Sequence, residues 1–405
     1  MEYIKSKVNF FLRYNFLFRR KLSRVLQYLE EDYTVLSQRQ NDRFIHLFRY
    51  ASKQSPFYQK LYAEHGVDIN AIKSVNDIQL LPIITKDDIK DDIDKIVIGN
   101  RLLKAKGYTS GTTGSPLKVY RNYNSILEEG AYIWAQRARQ GHWPGMKTVS
   151  MRGDLGRNEL DRFDFASNVL YLSSYNLNEQ NAEYYYKKIA KFSPNALLAY
   201  PSSAEILATL LDNINQSVHI PYVFTSSETL YDFQREKIHR VLGSSIQDWY
   251  GNAERTIALM QNQESGYDEL PLYSVNEYKK NGTITTGLIN SSFPLIRYQI
   301  NDIILPDTSR SSYNERITIR KIIGRDDDVL NLPDGTRVGR LDVVFKGVDN
   351  IQFAQFEQND PHSFDLNIVV NNRFNESDEK FLVTKLRDRV GKEIQFNVNR
   401  VDKNQ

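Results

Sequence analysis

Between Tyr108 and Lys118 the chain runs Tyr-Thr-Ser-Gly-Thr-Thr-Gly-Ser-Pro-Leu-Lys, which gathers hydroxyls, two glycines and a cation within one short turn. Gly111 and Gly114 permit left-handed dihedrals, so consecutive amide N–H groups can converge on an anion, and the Ser/Thr hydroxyls and Lys118 add donors and charge. The chemistry this implies is phosphate binding. The string is not a Walker loop, because Pro116 stands where the second glycine would be and Val119 follows Lys118. A polar surface hairpin is the alternative for so short a cluster.

The segments around the loop must position it. Leu117-Lys118-Val119-Tyr120 alternates as a strand, and residues 125–140 read as a helix ended near Gly141. Residues 148–151 and 195–200 have the composition of buried strands, set beside helical stretches at 183–191 and 203–211. Alternation of this kind predicts an α/β fold: a large domain of layered α/β subdomains with mostly parallel sheets. Binding sites in such sheets gather at the carboxyl ends of strands, where Tyr200-Pro201-Ser202-Ser203 and Thr225-Ser226-Ser227-Glu228 fall. Either could instead be a helix cap. Thr85 with Asp88 three residues on reads as a capping box. Residues 316–323 alternate as a strand. Beyond them a strand over 365–370, a helix over 376–390 capped by Asn375 and followed by Gly391, and a strand over 393–401 predict a small α+β domain.

At 405 residues the chain suggests two or three domains. Its 40% hydrophobic and 25% charged content is that of a globular protein. A net charge of +3 gives no ground for nucleic-acid binding. Cysteine is absent, which excludes disulfides, Cys-ligated zinc, iron–sulfur clusters and acyl transfer through an enzyme thiol. No apolar run reaches the roughly 18 to 20 residues that span a bilayer, and no cleavable leader is visible, so a cytoplasmic location is expected. Residues 1–30 interleave Lys5, Lys7, Arg13, Arg19, Arg20, Lys21 and Arg24 with Ile4, Val8, Phe11, Phe18, Leu22, Val25 and Leu29 at helical spacing. Two readings stand: this basic amphipathic extension makes peripheral contact with an anionic membrane, or it packs its stripe on the neighbouring domain.

Tyr-Thr-Ser-Gly-Thr-Thr-Gly-x-Pro-Leu followed by lysine resembles the phosphate loop of the adenylate-forming superfamily, which comprises acyl-CoA synthetases, peptide-synthetase adenylation domains and luciferases. Ser55-Pro56-Phe57-Tyr58, then Leu81-Pro82-x-x-Thr85-Lys86-x-Asp88, then the loop is similar to the order in the phenylacetate–CoA ligase and CapK-like branch. That branch includes proteins encoded with capsular polysaccharide genes. The resemblance implies a large domain over 31–324 and a small mobile domain over 325–405. It implies that Thr109, Ser110, Gly111, Thr112, Thr113 and Gly114 hold the ATP phosphates with Lys118, and that Ser226, Ser227 and Glu228 border the nucleotide.

Trp249-Tyr250-Gly251-Asn252-Ala253-Glu254 resembles the motif whose tyrosine stacks on adenine and whose glutamate meets Mg²⁺. A single carboxylate suffices for magnesium, which keeps most of its waters beside phosphates. The family carries threonine where Ala253 stands, which removes one donor to the α-phosphate. Phe293-Pro294-Leu295-Ile296-Arg297-Tyr298-x-x-Asn301-Asp302 resembles the family's ribose segment, with Asp302 accepting from the sugar hydroxyls and Asn301 replacing a glycine. Gly324-Arg325-Asp326-Asp327-Asp328 resembles the interdomain hinge, with Arg325 near the ribose and Asp327 as pivot. The substrate carboxylate could meet Arg152 or His142.

The family's small domain continues into a Gly-Lys segment whose lysine assists adenylation. This sequence ends near there, and neither Lys392 nor Lys403 matches, so a sequence cut short, another group standing in for the lysine, or slowed adenylation is expected. The function implied is ATP-dependent adenylation of a small carboxylic acid with release of pyrophosphate. Acyl transfer then follows to coenzyme A, a carrier-protein thiol or an amino sugar, in surface polysaccharide biosynthesis. The alternative is a nucleotide-binding module without turnover that serves as a partner in a biosynthetic assembly. Oligomeric state is not legible.

Overall fold

Asn15 divides the basic N-terminal segment into two helices, α1 (Glu2–Arg13) and α2 (Phe16–Glu30), because its side chain accepts from Phe18 N–H at 3.1 Å and caps α2. The computed structural model describes residues 2–90, 92–108, 117–153, 155, 159–174, 176–264, 266–280, 282–307, 316–325, 330–333, 337–338, 341–345, 348, 350–391 and 393–401. These fall into two compact units, one running to Ile322 and one from Ile323 onward.

The first unit continues with α3 (Tyr33–Gln54), α4 (Pro56–Glu64), α5 (Lys86–Lys90) and α6 (Ile93–Ile96). The hairpin β1 (Ala105–Tyr108) and β2 (Lys118–Arg121) leads into α7 (Tyr123–Arg139). Next come β3 (Thr148–Met151), β4 (Asp161–Asp164), β5 (Val169–Leu172), α8 (Glu179–Phe192), β6 (Ala196–Ala199), α9 (Pro201–Asn213), β7 (Tyr222–Ser226), α10 (Asp232–Leu242) and β8 (Ser245–Gly251). The chain then becomes all-β: β9 (Ala258–Gln261), β10 (Tyr267–Glu269), β11 (Ser274–Lys279), β12 (Gly282–Gly287), β13 (Tyr298–Ile300), β14 (Asp302–Pro306) and β15 (Thr318–Arg325).

Ten strands share one sheet in the order β14-β15-β10-β9-β8-β7-β6-β3-β5-β4. From β5 through β3, β6 and β7 to β8 the strands are parallel, joined by right-sized helical crossovers. The half beyond β8 is antiparallel, as is the separate sheet β11-β12-β13. The parallel character expected from the sequence thus holds for β5, β3, β6, β7 and β8, while the edge strand β4 is antiparallel to β5 and the strands after β8 are antiparallel.

α2 is not a free extension. Phe18, Leu22 and Val25 are buried with Leu127, Ala131, Tyr132 and Ala135 of α7, each large apolar side chain contributing roughly 1.5–3 kcal/mol. Lys21 and Arg43 converge on Glu128 at 2.9 Å each. Arg316 Nη2 donates to the carbonyls of Tyr28 and Leu29 at 3.0 and 2.9 Å, so a cation closes the negative end of α2.

Two of the motif strings meet in the core. Tyr58, on α4, donates to Pro294 O at 3.1 Å and accepts from Ile296 N–H at 2.9 Å, satisfying a buried hydroxyl. Ser55 precedes Pro56 at the first turn of α4, and Thr85 and Asp88 make the reciprocal capping bonds of α5. Arg297 grips Glu277 of β11 through two bonds of 2.8 Å and also donates to Leu81 O at 2.6 Å.

In the second unit, β16 (Leu330–Asn331) pairs with β17 (Arg337–Val338), and β18 (Ile351–Asp360), β19 (Ser363–Val370) and β20 (Gln395–Arg400) form a three-stranded sheet. It is covered by α11 (Glu376–Val390), which Asn375 caps through Ser377 N–H at 2.8 Å and Gly391 ends at φ 90°. Leu366, Ile368, Leu382 and Leu386 are the centre of its own core.

Candidate functional site

Parallel strands end on one edge, so β3, β6, β7 and β8 deliver Arg152, Tyr200, Ser226 and Tyr250 to the same rim of the sheet. Arg152 donates to Ser226 Oγ at 2.6 Å, and its guanidinium lies 5.7 Å from the Tyr200 ring centre. No carboxylate among the described residues lies within ion-pair distance of it. Ser227 leaves β7 at φ 71°, a left-handed conformation uncommon outside glycine, with its hydroxyl 3.3 Å from that of Ser226. Glu228 is buried, and its Oε2 accepts from Ser202 N–H at 3.0 Å. It thereby caps α9, whose own cap position, Tyr200, supplies no side-chain bond. The other carboxylate oxygen of Glu228 has no hydrogen-bond partner among the described residues.

The next strand brings two more of the nominated residues together. Tyr250, at the end of β8, donates from its hydroxyl to Asp302 Oδ2 at 2.6 Å. Tyr298 of β13 donates to Glu254 Oε1 at 3.2 Å. The turn between them is held by Asn252, which accepts from Thr256 N–H at 2.9 Å. Arg255 in this turn has φ 60°. Its carbonyl approaches Gly287 of β12 so closely that a Cβ there would stand 2.6 Å from the oxygen. Gly251 ends β8 in register with Ala258. Asn301, which stands where the family has glycine, is not among the residues of positive φ, whereas Arg297 is, at 55°.

Lys118 opens β2 opposite Tyr108 of β1. The loop residues Thr109, Ser110, Gly111, Thr112, Thr113 and Gly114 lie outside the described residues, as do Asp327 and the side chain of Arg325. Arg121, three residues beyond Lys118, was not singled out from the sequence. Its guanidinium donates to the carbonyl oxygen of Ala253 and packs against Gly107, where a Cβ would meet its Cζ at 2.5 Å. Burial, reinforced by nearby Arg255, lowers its pKa, with Glu129, Tyr273 and Glu254 opposing. The absence of a side chain at Gly107, across the hairpin, was the sequence signal that a bulky group passes there.

His142 does not reach this rim. It is fully buried beside the opposite, amino-terminal end of β3, with Nδ1 2.6 Å from Asn195 Oδ1 and Nε2 3.2 Å from Thr148 Oγ1. Its ring centre lies 5.7 Å from both Trp134 and Phe224. Burial pushes its pKa down to about 4. Of the two residues offered for the substrate carboxylate, only Arg152 is at the strand ends.

Among the described residues there is no cluster of three or more His, Asp or Glu side chains able to cage a metal.

The carboxyl-terminal residues 330–405 match the family model described as the CapK C-terminal domain. Along almost the whole chain the sequence is 28% identical to protein CapK of Staphylococcus aureus, covering 96% of this chain and 88% of that protein. These homologues point to the CapK-like branch of the adenylate-forming superfamily. Within that superfamily it is 22% identical to a phenylacetate-coenzyme A ligase of Thermus thermophilus (72% of this chain, 70% of the relative). It is 23% identical to that of Escherichia coli K12 (80% and 77%). The same fold occurs in 2-hydroxyisobutyryl-CoA ligase, solved in an open conformation with 2-HIB-AMP and CoA. That comparison gives a TM-score of 0.57 at 15% identity over 91% of this chain and 88% of the other.

Proposed function

We propose that the protein is an ATP-dependent ligase that adenylates a small carboxylic acid and passes the acyl group to a thiol or amine. The observation that carries this reading is the 2.6 Å bond from Tyr250 to Asp302, because it joins the residue suited to stack on adenine to the carboxylate suited to the ribose. Glu254 lies on the turn that follows Tyr250. One carboxylate oxygen of the substrate attacks the α-phosphorus, the bond to the bridging oxygen breaks, and pyrophosphate leaves with the electron pair. A sulfur or nitrogen nucleophile then attacks the acyl carbon and AMP departs.

The protein's part is to orient the acid and offset phosphate charge. Arg152 is the group proposed to meet the acid, and Lys118 with the glycine-rich loop the group proposed to meet the phosphates. Magnesium, held by Glu254, would supply further charge neutralisation on the phosphates. Arg325 and Asp327 enter as ribose contact and pivot on their motif alone. The names of the phenylacetate-coenzyme A ligases support coenzyme A as acceptor. A carrier thiol or an amino sugar, within surface polysaccharide biosynthesis, fits the same chemistry.

Mass spectrometry of the nucleotide products formed from ATP with pooled carboxylic acids tests the proposal, with Glu254→Gln as control and ATP binding measured in parallel. Acid-dependent acyl-adenylate and pyrophosphate, lost in Glu254→Gln, are expected. ATP binding without turnover on any acid would favour a second reading, a nucleotide-binding partner module. Ala253 favours that alternative, since its methyl group offers no hydroxyl beside Glu254.

A further inference from the structure

The N-terminal helices use only part of their apolar surface in the fold. On the inner side Phe10, Tyr14, Phe18 and Trp134 form a ladder of rings 4.8 to 5.6 Å apart. On the outer side Val8, Phe11 and Leu12 share one face of α1, and Phe16 and Leu17 continue it across the corner. Phe11 and Phe16 are 70% and 73% exposed. The corner is fixed in place: Tyr123 donates to Leu12 O at 2.7 Å, and Asn15 donates to the Tyr123 hydroxyl at 2.6 Å.

A second segment lies against the other side of α1. Ser6 is hydrogen-bonded to Asp164 at the end of β4, which sets the turn carrying Phe163 and Phe165 beside the helix. Phe165 is 73% exposed. Large apolar side chains grouped as on the outer face of α1 mark an interaction surface.

Charge selects the partner. Residues 3–29 hold seven Lys and Arg and no Asp or Glu, more positive charge than the +3 of the whole chain, so the remainder is net negative. Arg13, Arg19, Arg20 and Arg24 have no carboxylate within ion-pair distance among the described residues, whereas Lys21 turns inward to Glu128. A second copy of the chain would bring these cations face to face. A surface of anionic phospholipid headgroups over an apolar interior matches both features, with arginine stems lying along the acyl boundary and guanidinium groups at the phosphates.

We propose that the outer face of α1 and the α1–α2 corner docks on an anionic phospholipid bilayer, inserting Phe11 and Phe16 between Arg13, Arg19 and Arg20. The apolar insertion and the basic ring are the two signals that reversible anchoring requires. This inference is independent of the activity proposed above.

Co-sedimentation of the whole chain with vesicles of equal parts phosphatidylglycerol and phosphatidylcholine, against vesicles of phosphatidylcholine alone, tests it. Partitioning onto the mixed vesicles only is expected. Phe11→Ser/Phe16→Ser and Arg13→Gln/Arg20→Gln should each weaken it by about tenfold or more. Both pairs are solvent-facing, so circular dichroism and ATP binding should be unchanged. Failure to bind the mixed vesicles, or full binding by either double variant, would overturn the proposal. A wild-type dimer in sedimentation that Phe11→Ser/Phe16→Ser converts to monomer would do the same, assigning the face to a second copy.

Discussion

Tyr250 and Asp302 are 52 positions apart and meet through one hydrogen bond, so each tests the other. Asp302→Asn removes the charge that a ribose would read and should raise the ATP dissociation constant by about 10- to 100-fold, since hydrogen bonds to charged groups contribute about 1.5–3 kcal/mol. Tyr250→Phe keeps the ring and should weaken ATP by only a few-fold; calorimetric titration of both variants with ATP separates the two. Equal, negligible effects would remove this pair from the nucleotide site. His142 gives a pH prediction. Its folded pKa of about 4 lies below the ordinary 6.5, because burial disfavours the imidazolium. The unfolded chain then binds more protons between those values, so the contribution is fully present above pH 6.5 and lost as pH falls towards 4. From pH 7 to 5 the unfolding free energy should drop by about 2 kcal/mol from this group, and urea titrations of His142→Gln should show that much less slope.

Arg297 and Glu277 tie the segment before α5 to the sheet of β11. Breaking a buried pair leaves the partner charge uncompensated, so Arg297→Met should cost about 3–5 kcal/mol in urea unfolding, an effect on the fold felt before any on chemistry. Leu22→Ala, in the α2–α7 seam, should cost about 2–5 kcal/mol. Elements with local signals were legible: Asn375 and Gly391 bracket α11, Thr85 and Asp88 open α5, and apolar runs gave β3 and β6. The antiparallel half of the large sheet was not. Its strands are as short as Tyr267–Glu269, they bury Glu269 and Gln261, and their register comes from partners far along the chain. The break at Asn15 was hidden because apolar spacing runs on across it. Arg121 on Ala253 and Arg152 on Ser226 are likewise products of distant pairing, which no local pattern announces.

At the scale of the whole molecule, each unit has its own apolar core. Calorimetry should therefore resolve two transitions. Leu382→Ala should lower one and Leu197→Ala the other, whereas a single transition moved by both would show one cooperative block. The order in which the chain is made adds a last consequence. Arg316 closes α2 by bonding the Tyr28 carbonyl across 288 positions. At about 5–20 residues per second, roughly 15 to 60 s of synthesis separate the helix from its cap. Through that interval α2 can pair with α7 and take the local bond from Glu31 N–H to Tyr28 O, but it lacks the cation at its carboxyl end, so one of the first helices off the ribosome is among the last to be fully fastened.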